Sequence, residues 1–152
     1  MMGDIMIGIG MYLTNIDDKK VLDFVQEYAA FLHLKENVNF DFLSKLDDFA
    51  SYDASDEAVY NAAKPLFDVS YCDNLREMMY ETLASIMNSM TGIGFEYRGL
   101  NHDDVIMLAN ALPWNFNDKE KKLTESELIA LLDNFAEKLG VPKTDIGEIY
   151  AE

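Results

Sequence analysis

The chain is short of cysteine, proline and positive charge. Its single cysteine, Cys72, has no partner for an internal disulfide, which excludes a secreted scaffold held together by disulfides. The longest uncharged apolar run, Ile5–Leu13, is too short to span a bilayer, which takes about 20 residues. Asp4 is the only charge near the N-terminus, so the basic leader of a signal peptide is missing. We therefore expect a cytoplasmic protein.

Basic residues are scarce in relation to acidic ones. Lys and Arg number 12 against 28 Asp and Glu, which gives a net charge of −16. Such a surface repels nucleic-acid phosphates and anionic lipid headgroups. We therefore expect no direct binding to nucleic acid or to a membrane, and the predicted partner is a basic protein. The oligomeric state cannot be derived from this pattern.

The length of the chain is that of one ordinary domain. Residues 1–152 contain 49% hydrophobic residues and no low-complexity tract, and a chain of this length buries roughly 68–70% of its unfolded surface. The prediction is a single compact acidic domain that needs no disulfide or metal for stability.

Apolar residues recur mostly with the period of a helix. Capping residues and prolines bound the segments. The pattern predicts five to six helices: Asp17–Glu36, Phe42–Ala50, a helix capped by Ser55 that ends near Ala63, Asp73–Met90, Asn101–Leu112, and a helix that opens at a Thr124–Glu127 capping box.

Two segments are better explained as strands. Ile5–Leu13 and Ile93–Arg98 are short, apolar and glycine-containing, and we expect them to form one small two-stranded β element. The predicted fold class is therefore α+β and predominantly α-helical.

One set of residues raises the hypothesis of a metal-dependent enzyme. His33, the pair His102-Asp103, and Asp133 follow the order His, His-Asp, Asp. In these four positions the chain resembles metal-dependent phosphohydrolases of the HD type, which are helical. The alternative interpretation is structural: His33 lies at the edge of an apolar helix face, and His102 and Asp103 fall in the first turn of a helix capped by Asn101, where acids offset the helix dipole.

Other ligand-binding patterns are incomplete. The pairs Gly8/Gly10 and Gly92/Gly94 lack the third glycine of a dinucleotide loop, and we expect them to relieve crowding in strands. A calcium loop that ends at Glu127 would need a ligand where Phe116 stands. We therefore predict no catalytic residue, no metal ligand and no cofactor, and expect that the protein is not an enzyme.

The densest negative charge lies in Asp41–Glu57, which holds six acids against Lys45 alone. On the predicted second helix, Asp41, Asp48 and Tyr52 share an outward arc. Phe42, Leu46 and Phe49 lie on the opposite, inward side, and Tyr52 is the predicted aromatic anchor. Exposed acids and an aromatic together can steer and hold a basic partner. The residues predicted to bind the partner, called the acidic patch below, are Asp41, Asp47, Asp48, Tyr52, Asp53, Asp56 and Glu57.

These features favour an inhibitor of a nucleic-acid-binding protein. Carboxylates one helical turn apart are separated by about 5–6 Å, which is comparable to the phosphate spacing of DNA, so an acidic surface can occupy a basic nucleic-acid site. In type, the chain resembles anti-CRISPR and antirestriction proteins and the immunity proteins of nuclease toxins. One alternative is an acidic surface that only confers solubility. Another is a structural or assembly protein that binds through a methionine-rich helical face, made of Met78, Met79, Met87 and Met90.

Overall fold

The computed structural model describes residues 5–28, 40–53, 55–65, 67, 73–100, 103–109 and 124–151. The helices in these ranges are α1 (Asp18–Glu27), α2 (Phe40–Ser44), α3 (Glu57–Ala63), α4 (Leu75–Thr91) and α5 (Glu125–Leu139). The strands are β1 (Ile5–Tyr12), β2 (Glu96–Leu100), β3 (Asp103–Ala109) and β4 (Ile146–Ala151).

The chain divides into two compact units. The helical unit spans Asp18–Thr91 and contains α1 to α4, whereas the sheet unit is drawn from Met1–Asp17 and Gly92–Glu152 and contains the four strands and α5. Its sheet is antiparallel throughout, in the order β2-β3-β1-β4, and α5 packs on β1 and β4. The expectation of a single domain over residues 1–152 stays a prediction.

The predicted fold class is wrong, because the described residues form a four-stranded antiparallel sheet beside their helices and not a predominantly helical fold with a two-stranded element. Ile5–Leu13 does form β1, but Ile93–Arg98 overlaps only the start of β2, and these two strands do not pair with each other. β1 pairs with β3 and β4 instead.

Strand β3 lies where a helix over Asn101–Leu112 was predicted. The four residues Val105–Leu108 are all buried, and a run that is apolar at every position does not distinguish a buried helix from an inner strand. An inner strand covered on both faces accommodates such a run, since neighbouring side chains point to opposite faces. The pairing of β3 with both β1 and β2 places it inside the sheet.

Two glycines of β1 allow the backbone of β3 to approach closely. A Cβ atom at Gly10 would lie 2.2 Å from the carbonyl oxygen of Ile106 and 2.6 Å from the Cα of Met107, and one at Gly8 would lie 2.4 Å from the carbonyl oxygen of Leu108. The glycines of β1 therefore relieve crowding, as expected from the sequence. Gly92 acts differently, since with φ of 73° it follows the last residue of α4 and ends that helix.

The helical unit confirms the longer periodic segments. α1 buries Val21, Leu22, Phe24 and Val25 and packs against α2 and α4. Of the methionine-rich face of α4, Met78, Met79 and Met87 are buried, and Met90 is partly exposed. The first predicted helix, Asp17–Glu36, is observed as far as Glu27, and its remainder beyond residue 28 lies outside the described residues.

The second and third predicted helices need correction. Phe42–Ala50 is not one helix, because α2 ends at Ser44 and a separate 3₁₀ turn follows at Phe49–Ser51. α3 begins after Asp56 rather than after Ser55. The capping box of α5 is confirmed: the Thr124 hydroxyl accepts from the Glu127 N–H, and the Glu127 carboxylate accepts from the Thr124 N–H.

Within the described residues, no helix combines the length and the apolar character that crossing a membrane requires.

Replacing Gly10 with Ala should lower the free energy of unfolding by about 1–3 kcal/mol, because the new methyl group would overlap backbone atoms of β3. Gly94→Ala is the matched control, since a Cβ at Gly94 meets no described atom within 4 Å, and it should change stability by less than about 0.5 kcal/mol. Urea unfolding followed by circular dichroism measures both. Equal stability of the two variants would contradict the close approach of β1 and β3.

Candidate functional site

The acidic patch lies entirely within the helical unit. Asp41 is on α2, Asp47 and Asp48 precede the 3₁₀ turn, Tyr52 and Asp53 follow it, and Asp56 and Glu57 begin α3. Tyr52 and Asp56 are partly exposed, and the other five residues are exposed.

No continuous helix aligns these side chains. The backbone N–H groups of Lys45 and Leu46 bond to carbonyls three residues earlier, each at 3.2 Å, so that α2 closes in a tightened turn. Asp48 then accepts from the Ala50 N–H at 3.1 Å and starts the 3₁₀ turn. The outward arc expected for Asp41, Asp48 and Tyr52 is therefore absent, and helical periodicity does not set the spacing of the patch carboxylates.

Asp48 also takes part in an ion-pair network within the unit. The Arg76 guanidinium on α4 donates to Asp48 at 2.7 Å and to Asp18 on α1 at 2.8 Å. The Asp18 side chain is only 17% exposed, whereas that of Asp48 is 60% exposed, and Asp18 also accepts from the Tyr80 hydroxyl at 3.3 Å. One cation thus joins α1, α4 and the start of the 3₁₀ turn.

Burial and charge act in opposite directions on the pKa of Arg76. Desolvation lowers this pKa, but the charge and hydrogen bond of Asp18, with further contributions from Tyr80 and Asp48, raise it above its ordinary value. Arg76 therefore stays protonated at any physiological pH.

Lys19 makes a second internal connection. Its Nζ donates to the carbonyls of Ser44 and Leu46, at the end of α2, where backbone acceptors lack helical partners. The same Nζ lies 5.4 Å from the centroid of the Phe49 ring, within the range of a cation–π interaction. Lys19 and Arg76 therefore both bind groups of the helical unit itself.

Asp53 and Asp56 stabilise the chain that leads into α3. Asp53 accepts from the Ser55 N–H at 2.9 Å and from the Ser55 hydroxyl at 2.5 Å, while Asp56 accepts from the Asp53 N–H at 3.0 Å. The hydrogen bond from the Ser55 hydroxyl contributes most to lowering the pKa of Asp53, and the bond from the Ser55 N–H lowers it further. Desolvation acts in the opposite direction and raises this pKa, but by less. These two patch acids thus have local structural roles.

The remaining patch acids are more available to a partner. The Asp41 side chain is 90% exposed and forms only a long ion pair, at 3.8 Å, with Lys45, which is itself 77% exposed. Asp47 and Glu57 are exposed as well. A pair of this kind contributes little to stability, so Asp41 can exchange Lys45 for a partner's cation at small cost.

An aromatic residue that sequence reasoning assigned to the interior lies at the surface. Phe42 was expected to face inward on the second helix, but it is 37% exposed, next to Asp41. Leu43, its neighbour within α2, is buried instead, as are Leu46 and Phe49 beyond the end of the helix. The predicted anchor Tyr52 is partly exposed, and its carbonyl accepts from the Leu75 N–H at 2.9 Å.

The residues of the phosphohydrolase hypothesis are only partly described. His33 and His102 lie outside the described residues. Asp103 opens β3 and accepts from the Thr14 hydroxyl at 3.4 Å, and Asp133 lies in the middle of α5. Among the residues that can be described, no group of three His, Cys, Asp or Glu side chains could hold a metal ion. Asp103 lies in a strand, so its expected place in the first turn of a helix is wrong.

The chain matches no protein-family model, no curated protein and no solved structure. The patch residues and their contacts are the observations from which a function can be argued.

Replacing Arg76 with Gln should lower the free energy of unfolding by about 1–3 kcal/mol, because the mostly buried Asp18 carboxylate loses its cation. Lys45→Gln is the matched control, since it breaks an exposed ion pair with a patch acid and should have no measurable effect. Chemical denaturation compares the two variants. An equal loss in both would show that Arg76 does not act as an internal cross-link.

Replacing Ser55 with Ala should raise the pKa of Asp53 toward its ordinary value of 3.8, because the carboxylate loses the stronger of its two donors. The pKa of Asp53 is lower in the folded state than in the unfolded state. The ionised carboxylate therefore stabilises the fold at any pH above the ordinary pKa of 3.8. This contribution is lost as the pH falls through the folded pKa. A ¹³C NMR titration of the Asp53 carboxyl measures the shift, and Ser51→Ala, which removes another exposed hydroxyl, should leave it unchanged.

Proposed function

We propose that this protein is a cytoplasmic acidic inhibitor that binds a nuclease or DNA-binding complex and occludes its basic nucleic-acid-binding site. The observation that carries the proposal is the surface of Asp41–Glu57, where six acids accompany a single base, Lys45. Five of the seven patch residues are exposed and the other two are partly exposed. The proposal is of the type known for anti-CRISPR, antirestriction and nuclease-immunity proteins.

The contacts of two cations in the helical unit support this function. Lys19 bonds to backbone carbonyls at the end of α2, and Arg76 bonds to Asp18 and Asp48. Both cations are thus engaged by groups of the same unit, while Asp41 and Asp47 stay exposed. A concentrated negative field of this kind accelerates the encounter with a positively charged groove.

The mechanism combines steering with a small apolar contact. The exposed Phe42 beside Asp41 adds an aromatic side chain that can be desolvated in the complex, together with the partly exposed Tyr52 of the patch. Aromatic residues at the centre of an interface contribute much of the binding energy, whereas rim charges mainly set the association rate. The inhibitor would compete with nucleic acid because both ligands need the same basic side chains.

The variant that tests this function reverses patch acids whose side chains accept no hydrogen bond among the described residues. Asp41 and Glu57 also lie in the first turns of α2 and α3, so circular dichroism checks that the variant keeps its helices. Asp41→Lys, Asp47→Lys and Glu57→Lys together remove negative charge from exposed positions and spare Asp48, Asp53 and Asp56, which make structural hydrogen bonds. A matched control carries the same total charge change outside the patch, in Asp23→Lys, Glu27→Lys and Glu137→Lys, all at exposed helical positions.

Immobilised wild-type protein and both variants are used to capture partners from host-cell lysate, and the captured protein is then purified. We expect a basic nucleic-acid-binding protein that wild type and control retain, that the patch variant loses, and that raised salt weakens. Fluorescence anisotropy should show the inhibitor displacing labelled DNA from that protein. Equal retention by all three proteins, or unimpaired DNA binding in the complex, would overturn the proposal, provided that circular dichroism shows the patch variant to be folded.

A further inference from the structure

Strand β2 is an edge strand of the sheet. Its inner side pairs with β3 from Glu96 opposite Met107 to Leu100 opposite Asp103, and no strand among the described residues lies on its outer side. A sheet edge presents backbone N–H and C=O groups to which another strand can bond. Within β2, Arg98 and Gly99 are exposed and Glu96 and Tyr97 are partly exposed, so the strand is accessible over most of its length.

The charges of β2 are self-complementary. Glu96 and Arg98 are two residues apart and therefore lie on the same face of the sheet, where their side chains pair at 2.5 Å and remain 41% and 47% exposed. In an antiparallel pair of β2 strands related by a two-fold axis at Tyr97, Glu96 of each strand lies opposite Arg98 of the other. Opposite charges in facing positions stabilise a strand pair, and like charges destabilise it.

Only this register matches both charges. An axis at Arg98 would place the two arginines opposite each other, and an axis at Glu96 would do the same with the two glutamates. A two-fold axis that passes between two residues would place neither Glu96 opposite an Arg98. It would also put the faces of the two sheets on opposite sides, because a slip of one residue moves every side chain to the other face. The register centred on Tyr97 is therefore specified by charge.

We propose that two copies of this chain associate through antiparallel β2 strands to form one continuous sheet, with Tyr97 at the two-fold axis. The Tyr97 hydroxyl already donates to Asp104 at 2.7 Å, which holds the ring on the face opposite the charged pair. The closed two-fold contact also covers the edge and so protects it from open-ended aggregation.

The other edge of the sheet does not fit a second copy in the same way. β4, Ile146–Ala151, has Glu148 as its one charged residue, so two β4 strands have no opposite charges to pair. Its Gly147 has a φ of 151°, which lies outside the ordinary extended conformation of a strand. Long-range repulsion between two chains of charge −16 opposes dimerisation, but salt limits it to about 8 Å at physiological ionic strength.

Sedimentation equilibrium of the full chain at physiological salt tests the dimer. Glu96→Arg and Arg98→Glu should each raise the dimer dissociation constant by about tenfold or more, because like charges then face each other in two symmetry-related positions. The double exchange Glu96→Arg with Arg98→Glu should return it to within about threefold of wild type. Each single variant also breaks the Glu96–Arg98 pair inside its own chain. The double variant restores both the pair within the chain and the pairs between chains, and circular dichroism shows whether each variant is folded. A folded single variant with a weaker dimer therefore reports on association and not on loss of fold.

The register is tested by cysteine cross-linking in a Cys72→Ala background. Tyr97→Cys places two thiols at the axis and should give a disulfide-linked dimer on mild oxidation, whereas Glu148→Cys on the exposed part of β4 should not. A wild-type protein that is monomeric at all concentrations, single variants that dimerise as well as wild type, or cross-linking at residue 148 rather than 97 would overturn the proposal. The patch variant described above should dimerise normally, so this inference and the inhibitor function can fail separately.

Discussion

The guanidinium of Arg76 is the interaction on which the helical unit most depends. It contacts Asp18 on α1 and Asp48 at the start of the 3₁₀ turn from its own position on α4, and so connects three elements that the chain separates widely. The Asp18 carboxylate is largely withdrawn from water, where an unpaired charge would be strongly destabilising. The protein has 12 basic and 28 acidic residues, so a cation that pairs with Asp18 and Asp48 leaves most of the other acids without a basic partner.

Contacts within the helical unit divide the acidic patch into two kinds of residue. Asp48, Asp53 and Asp56 accept hydrogen bonds from backbone or side-chain donors nearby, and they shape the chain between α2 and α3. Asp41 and Asp47 stay exposed and can respond to a partner without loss of structure. An acidic surface can therefore be both a set of local caps and a binding surface, because a carboxylate that accepts an N–H bond still carries its charge.

The parts of the fold that were predictable are those with a local cause. α4 and α5 have a regular apolar period, and α5 has its capping box and a glycine at its C-terminus, Gly140, in the left-handed conformation. The second helix was mispredicted because Leu46 and Phe49 keep the helical period although the backbone has left the helix. β3 was missed because Val105–Leu108 is apolar at every position, and periodicity does not distinguish the two structures there.

The amino-acid sequence by itself determined the charge of the protein, the helices with strong caps and periods, and the stretch of chain that is most acidic. Only the tertiary structure decided that β1 pairs with β3 and β4, that Phe42 is exposed, and which patch acids are engaged by Arg76 or Ser55. The reason is physical: helix periods and caps act between residues a few positions apart, whereas strand pairing and ion pairing join residues from distant parts of the chain. Which strands or charged groups pair therefore depends on the other strands and charged groups that the fold brings close to them.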